Sequence, residues 1–310
     1  MNLIGARPAR FRRLRVLVVG CGDVGQRAAR ELGTAQARTR VLALTSSPDR
    51  LGELRARGIT PLLGDLDRPD TLRRLAGLGQ RVLHLAPPPS QDLADWRRDP
   101  RTRALLQALA QRTLPGALVY GSTSGVYGDC GGDWVDETRG VAPHTPRALR
   151  RVDAEGSVRA WGRALGVPVN VLRIPGIYAP DREGGTPRER LRRGTPVLLP
   201  EDDVYTNHIH ADDLARACVR SLLKPRPQRI LNVSDDTDLK MGDYFDLAAD
   251  LYGLARPPRV SRASAQQQLP LSLLSFMGES RRLSNGRMKR ELRLVLRHPT
   301  VAQGLVPPSR

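Results

Sequence analysis

The sequence predicts an α/β protein built on a doubly wound parallel sheet. Short apolar runs alternate with longer amphipathic stretches through the first half of the chain, which is typical of successive β-α units. A glycine-rich turn at Gly20, Gly22 and Gly25 directly follows one apolar run and precedes a helical pattern. No run approaches the roughly 18 apolar residues that a membrane-spanning helix needs, so we expect no membrane segment.

The elements follow one another in a regular order after a basic leader over residues 1–14. Val24, Ala28 and Leu32 recur at helical spacing and give the first helix one apolar face. Gly58 ends a second helix, and Pro100 interrupts a third. The predicted strands of this half are 16–19, 41–44, 60–63, 81–85, 117–120 and 167–172, and its later helices are 48–57, 92–112 and 146–165.

The pattern changes beyond Arg173. Residues 180–206 are rich in Pro, Gly and Arg and resemble an insertion, after which a helical stripe that includes Leu214 and a strand at 229–233 resume the alternation. From Lys240 the chain is mostly helical. We therefore predict a nucleotide-binding domain and a smaller, mostly helical substrate lobe. The domain comprises residues 15–175 and 207–235, and the lobe comprises residues 176–206 and 236–310.

Composition narrows the function classes. The net charge is +18, but 47 of the 50 basic residues are arginines spread along the chain, and aromatic residues are only 4%. Stacking on bases needs aromatic platforms, so we expect no nucleic-acid partner. The positive charge instead favours a phosphorylated small molecule. Three cysteines at unrelated spacings and the lack of a signal-peptide pattern predict a cytoplasmic protein without disulfides.

The glycine turn has the form G-x-G-x-x-G over residues 20–25, with Asp23 and Val24 inside it. The first glycine permits the tight turn, the second lets the backbone approach a pyrophosphate, and the third lets helix and strand pack closely. The N-terminus of the following helix faces the phosphate charge. The sequence therefore predicts a dinucleotide site.

The end of the second strand bears on the choice of cofactor. Thr45, Ser46 and Arg50 stand where an NAD enzyme usually places a carboxylate for the ribose hydroxyls. Hydroxyl groups and a guanidinium suit a 2′-phosphate, so NADP is favoured over NAD. The competing interpretation is that Asp49 is the carboxylate that binds the ribose hydroxyls of NAD, although Asp49 follows Pro48 and fits the first turn of a helix.

With these features in place, the chain resembles the extended short-chain dehydrogenase/reductase family, whose members include nucleotide-sugar epimerases and dehydratases. The resemblance rests on motifs in the family's order: 64–66 (G-D-L), 82–86 (V-L-H-L-A), 120–128 (Y-G-S-T-S-G-V-Y-G), 172–178 (L-R-I-P-G-I-Y), 208–214 (H-I-H-A-D-D-L), 231–233 (L-N-V) and 284–285 (S-N). It implies a Rossmann sheet, a sugar-like or nucleotide-linked substrate and a possible homodimer.

The resemblance also assigns residues. It places Asp65 and Leu66 at the adenine, Ala86 and Pro175 beside the cofactor, and Thr123 against the substrate oxygen that it would polarise. The family's Tyr-x-x-x-Lys dyad is missing. Its positions hold Arg147 and Arg151, and none of the three lysines has a tyrosine four residues before it. The chain therefore resembles the atypical branch of the family.

The missing dyad leaves two hypotheses open. Arg151 can donate hydrogen bonds to ribose hydroxyls, but Arg147 cannot exchange a proton near neutral pH. In the enzyme hypothesis another group moves the proton; Tyr127 is the candidate that we select, with Tyr178, Tyr205 and His144 as alternatives. In the second hypothesis the protein holds NADP as a silent sensor or regulator. His208 and His210 resemble a packing element, so we expect no metal.

Overall fold

The structure, a computed structural model, describes residues 13–35, 39–89 and 95–306. Its centre is a parallel sheet of seven strands in the order β3-β2-β1-β4-β5-β6-β7, which confirms the predicted doubly wound fold. The strands are β1 (Leu14–Val19), β2 (Thr39–Thr45), β3 (Thr60–Leu63), β4 (Arg81–His84), β5 (Leu118–Thr123), β6 (Val169–Ile174) and β7 (Arg229–Asn232).

Helices cover both faces of this sheet. The helices are α1 (Asp23–Ala35), α2 (Arg50–Ala56), α3 (Pro100–Ala110), α4 (Pro146–Leu165), α5 (Arg188–Arg192), α6 (Ala211–Leu223), α7 (Met241–Tyr252), α8 (Arg262–Gln268), α9 (Leu271–Met277), α10 (Gly286–Leu292) and α11 (Val301–Gly304). Because strand side chains alternate, Val16 and Val18 pack with α1 and α6, while Leu17 and Val19 pack with α3. None of the helices in the described part is long and apolar enough to cross a membrane.

Several predicted boundaries differ from the structure, and two of the differences have clear local reasons. Strand β6 begins at Val169, not Val167, because α4 ends on Gly166 in the left-handed conformation and the Val167 N–H bonds back to Gly162 O. Helix α3 begins at Pro100, since the Asp99 carboxylate caps it by accepting from Thr102 N. Residues 95–99 are not helical, so this part of the predicted helix is wrong, and residues 90–94 lie outside the described residues.

A separate apolar cluster lies beside the sheet, in the C-terminal half of the chain. It includes Tyr178, which precedes the insertion, Val204 from the insertion, and Phe245 and Ala248 from α7. Helix α10 differs from the predicted lobe assignment, because Met288 packs in the sheet core against α6. The C-terminal segment therefore contributes to both cores.

A buried ion pair joins α4 to the sheet. Both Glu155 and Arg173 are buried, and the Arg173 Nη2 lies 2.8 Å from Glu155 Oε2. The Ser122 hydroxyl donates to the other carboxylate oxygen at 2.6 Å. This network holds the end of β5, where Thr123 follows, against the helix that carries Arg147.

Removing the Glu155 carboxylate tests how much this ion pair contributes to the stability of the fold. We expect Glu155→Ala to lower the free energy of unfolding by about 3–5 kcal/mol, because Arg173 would keep a buried charge without a partner. Urea denaturation measures the change. The exposed Glu183, which makes no ion pair with the described residues, provides the control Glu183→Ala and should change stability by less than about 0.5 kcal/mol. Equal stability losses in the two variants would contradict a structural role for the pair.

Candidate functional site

The glycine turn lies where the carboxyl ends of β1 and β4 meet. Gly20 has φ +86°, and a Cβ at this position would lie 2.7 Å from Ala86 Cα and closer still to the Ala86 nitrogen. At Gly25 a Cβ would lie 3.0 Å from Gly20 O, so helix α1 approaches the strand closely. Both positions therefore need glycine for the turn to pack against its neighbours.

Gly22 differs from these two glycines. A Cβ there would meet nothing within 4 Å, so no packing demand of the chain explains this residue. The open space lies over the N-terminal end of α1, where free N–H groups and the helix dipole favour a phosphate. The turn thus has the open space and the charge that a dinucleotide pyrophosphate requires, and its residues fit the cofactor that the sequence predicts.

The ends of β2 and β3 border the same edge of the sheet. The Arg50 Nη2 donates to Cys21 O at 2.8 Å, which holds this guanidinium against the glycine turn. Thr45 and Ser46 lie beside it at the end of β2, and Asp49 stands at the start of α2 without capping it. No carboxylate occupies the tip of this strand.

Asp65 and Leu66 follow β3 directly. The Asp65 N–H donates to Thr71 Oγ1 at 2.9 Å, and its carboxylate accepts from Asp67 N, so a compact turn holds this segment. Leu66 packs against the α3 side of the core. The structure therefore brings the predicted adenine segment to the same sheet edge as the glycine turn.

Asp23, predicted at the cofactor, is already engaged by arginines. Its carboxylate accepts from the buried Arg27 and lies 3.2 Å from Arg182 Nε. Arg27 also binds Asp181 and Asp212, which raises its pKa. Asp23 thus ties α1 to the insertion after β6, and its neighbour Val24 packs against the core.

A cavity of about 610 Å³ lies between the sheet edge and the C-terminal lobe. Thr123 at the end of β5 and Pro175 after β6 line it, and so does Arg147 in the first turn of α4. The predicted insertion contributes Arg182 and Arg190. The cavity is therefore bounded by the end of β5 on one side and by the lobe on the other, and Thr123 is open to it.

Glu279 is a cavity residue that sequence reasoning missed. A carbon at the Gly125 Cβ position would lie 3.6 Å from Thr123 Oγ1 and 4.0 Å from Glu279 Oε2, so hydroxyl and carboxylate share one corner of the cavity. Arg281 Nη1 donates to this carboxylate at 2.7 Å and orients it. Glu279 is the one carboxylate among the described residues that line the cavity. Only the fold brings it to Thr123, because the two are distant in sequence.

The position of Tyr127 does not support its selection as the substitute acid. Its hydroxyl donates to Asn232 Oδ1 at 2.8 Å, the side chain is buried, and it does not line the cavity. Burial raises the pKa of this phenol. The Tyr127 side chain is packed in the interior, and a catalytic role for it stays a prediction.

The other candidates for the proton-transfer group differ in their position relative to the cavity. Tyr178 borders the cavity, but its hydroxyl donates to Thr300 O at 3.2 Å. His144 is exposed and outside the cavity, whereas Tyr205 lines it. His208 also lines it, but burial lowers the pKa of its imidazole to about 4, so the ring is neutral at neutral pH.

Arg151 does not line the cavity. Its Nη1 donates to Gly121 O at 2.6 Å and to the Tyr120 hydroxyl at 3.0 Å, so the guanidinium is hydrogen-bonded to two residues of β5. The neighbouring His84 is buried, and burial, with the Arg151 charge, lowers its pKa to about 3. The predicted contact of Arg151 with the cofactor ribose therefore stays a prediction, with one nitrogen already committed to the strand.

One group of side chains has the composition of a metal site. Ligand atoms of His210, Asp212 and His298 lie within 4.8 Å of one another. However, Asp212 Oδ1 lies 2.6 Å from Arg27 Nη1, and His210 Nδ1 accepts from Asp212 N. The two imidazole rings stack at 3.7 Å between centroids. A cation would have to compete with Arg27, so we propose no metal here.

Comparison with known proteins decides the family. The pattern that defines the NAD-dependent epimerase/dehydratase family matches residues 16–234. The chain belongs to this family. A Methanocaldococcus jannaschii protein named "Putative UDP-glucose 4-epimerase" is 22% identical over 139 residues, which are 42% of this chain and 45% of that protein, so the match spans under half of the relative.

Solved structures of the family share the fold over nearly the whole chain. A conserved protein of unknown function from Silicibacter pomeroyi is 30% identical, with a TM-score of 0.75 over 94% of this chain and 96% of that one. The UDP-glucose 4-epimerase of Thermotoga maritima with UDP-glucose is 18% identical, with a TM-score of 0.75 over the same shares. A nucleoside-diphosphate-sugar epimerase from Pseudomonas aeruginosa is 19% identical, with a TM-score of 0.76 over 94% and 95%. The assignment supports an NAD-dependent epimerase-like enzyme.

Two glycine substitutions separate folding from cofactor binding in this epimerase/dehydratase family member. We expect Gly20→Ala to lower the melting temperature of the unliganded protein, because the new methyl group overlaps Ala86. Gly22→Ala should leave that temperature within about 2 °C but remove most of the NAD(P)-induced rise, because the methyl group fills the phosphate cradle. Thermal denaturation with and without cofactor measures both. An unimpaired cofactor response in Gly22→Ala would contradict the assigned cradle.

Proposed function

We propose that the protein is an NAD(P)-dependent epimerase or dehydratase, or a related oxidoreductase, acting on a sugar-like substrate that is phosphorylated or nucleotide-linked. The observation that carries this proposal is the cavity, since it joins Thr123 at the sheet edge to an arginine-bearing lobe. Structures of the same fold contain UDP-glucose, which agrees with a ligand of this class. A cytoplasmic location and a homodimer remain predictions.

Arg190 supports the phosphorylated character of the substrate. Its guanidinium lies 4.3 Å from the centre of the Phe245 ring, and its Nε and Nη2 are buried without a hydrogen-bond partner among the described residues. Burial lowers the pKa of this guanidinium. Buried N–H groups without acceptors are costly in the free protein, and a ligand phosphate would supply the acceptors for Nε and Nη2 of this half-buried side chain.

The reaction that we propose places a substrate oxygen against Thr123. The hydroxyl donates to that oxygen and polarises it, as the family resemblance implies. The Glu279 carboxylate, held by Arg281, takes the proton that the substrate hydroxyl loses on oxidation and returns it on reduction. Bound NAD(P) supplies the hydride acceptor and donor. The non-standard catalytic group of this chain is then Glu279.

One observation favours the alternative, a catalytically silent NADP-binding sensor. The tyrosine and lysine positions of the family hold Arg147 and Arg151, and neither guanidinium exchanges protons near neutral pH. Such a protein would bind cofactor in the same turn but would not use Glu279. The two functions differ in turnover, which the following experiment measures.

Turnover with a panel of UDP- and dTDP-linked sugars distinguishes them. We expect NAD(P)-dependent conversion by the wild-type protein, followed by NMR of the sugar signals. Thr123→Ala and Glu279→Gln should each lower kcat by about 10²–10⁴-fold, because each removes a group that acts on the reacting proton. Their cofactor affinity should be unchanged. The exposed Glu201 provides the matched control, Glu201→Gln, with wild-type rates.

The outcomes contradict different parts of the proposal. Cofactor binding without conversion of any sugar would reject the enzyme and favour the sensor. Full activity in Glu279→Gln would reject Glu279 as the proton-transfer group but leave the epimerase proposal standing. Failure of both NAD and NADP to raise the melting temperature would reject both functions.

We further propose that NADP is the preferred cofactor, with Arg50 at its 2′-phosphate. Arg50→Ala should weaken NADP binding about 10–100-fold, because one charge-assisted hydrogen-bonding group is lost, and change NAD binding by less than about threefold. Calorimetric titration measures both affinities. The exposed Arg55, one residue before the end of the same helix, provides the control Arg55→Ala. Equal weakening of NAD and NADP would contradict this assignment.

A further inference from the structure

Arg147 occupies an unusual position in the cavity wall. It is the second residue of α4, and its neighbours Thr145 and Ala148 line the cavity with it. Thr145 caps the helix by accepting from Ala148 N at 3.2 Å, so the first turn is well formed. The side chain is exposed to the open cavity, and the backbone N–H at this position has no acceptor within the helix.

No acidic group of the described chain neutralises Arg147. It forms no ion pair or side-chain hydrogen bond with the described residues, whereas the cavity arginines Arg182 and Arg281 pair with Asp23 and Glu279. One helical turn further on, Arg151 adds a second positive charge. The surrounding protein and this charge lower the pKa of Arg147, although a guanidinium remains protonated at neutral pH. The free protein therefore leaves a cation facing the cavity without a counter-charge.

We propose that Arg147 binds an anionic group, a carboxylate or phosphate, on the reacting portion of the substrate. The inference rests on the proposed function, because it takes Thr123 as the residue at the reacting oxygen. Arg147 lines the same cavity as Thr123, and the planar guanidinium and the helix N-terminus both favour an anion there. The substrate class is then an acidic sugar, or its phosphate, and not a neutral hexose.

This anion differs from the phosphate assigned to Arg190. Arg190 belongs to α5 in the lobe and stacks on Phe245, while Arg147 belongs to α4 of the sheet domain. The two guanidiniums thus reach the same cavity from different helices. A ligand that satisfies both carries one anionic group for the lobe and a second one near Thr123.

A matched pair of ligands tests the assignment. UDP-glucuronate and UDP-glucose differ by one carboxylate, and calorimetric titration of the cofactor-loaded protein gives both affinities. We expect the acid to bind about 10–100-fold more tightly than the neutral sugar. Arg147→Gln should remove this preference, Arg147→Lys should restore part of it, and neither should alter UDP-glucose binding by more than about threefold. Arg193→Gln, an exposed arginine outside the cavity lining, should keep the full preference.

Arg190→Gln separates the two anion sites. It should weaken both UDP-sugars alike and leave their ratio unchanged. Equal binding of the two sugars by the wild-type protein, or a preference for the acid that survives in Arg147→Gln, would overturn the inference.

A second measurement keeps the inference independent of the nucleotide. We expect malonate to raise the melting temperature of the wild-type protein and of Arg193→Gln more than that of Arg147→Gln. If neither UDP-sugar binds but malonate behaves in this way, the nucleotide-linked substrate is rejected and the anion site is retained. An equal malonate response in all three proteins would reject the anion site itself.

Discussion

The close approach of Gly20 to Ala86 is the contact on which the site depends. It holds the turn after β1 directly against the end of β4, where a side chain on the glycine would overlap the backbone. Because all seven strands are parallel, their carboxyl ends meet at one edge, and the turns that follow them converge there. The open space at Gly22, the Thr45 segment and Thr123 consequently lie along a single border of the sheet.

Two kinds of arginine can be distinguished in this structure: those that form buried ion pairs and those that line the cavity. Arg27 and Arg173 are buried and bind carboxylates, so they hold helices to strands and the insertion to the glycine turn. Arg147 and Arg190 line the cavity and form no ion pair with a carboxylate in the part of the chain that the structure describes. Some of the positive charge is thus neutralised by buried carboxylates that hold the fold together. The arginines that line the cavity keep their charge, and this charge gives the proposed site its affinity for anions.

Sequence reasoning succeeded where local patterns decide the outcome. The alternation of apolar runs identified the sheet, and the spacing of the glycines placed a tight turn between strand and helix, because both depend on residues close in the chain. The motif contains Tyr127 but not the direction of its hydroxyl, which donates to Asn232 at the end of β7, so a catalytic role for Tyr127 stays a prediction. Glu279 was missed because no nearby motif marks it, and only folding brings it to the corner that holds Thr123.

The glycine turn, the parallel sheet and the loss of the tyrosine–lysine dyad were determined by the sequence alone. Each is a property of short segments whose residue types restrict backbone conformation or remove a chemical group. The tertiary structure decided which charges are paired. Asp23 forms ion pairs with Arg27 and Arg182, and Arg151 donates to a carbonyl of β5, whereas Arg147 lines the cavity. Pairing depends on distances between segments far apart in the chain, and those distances exist only once the two cores have packed.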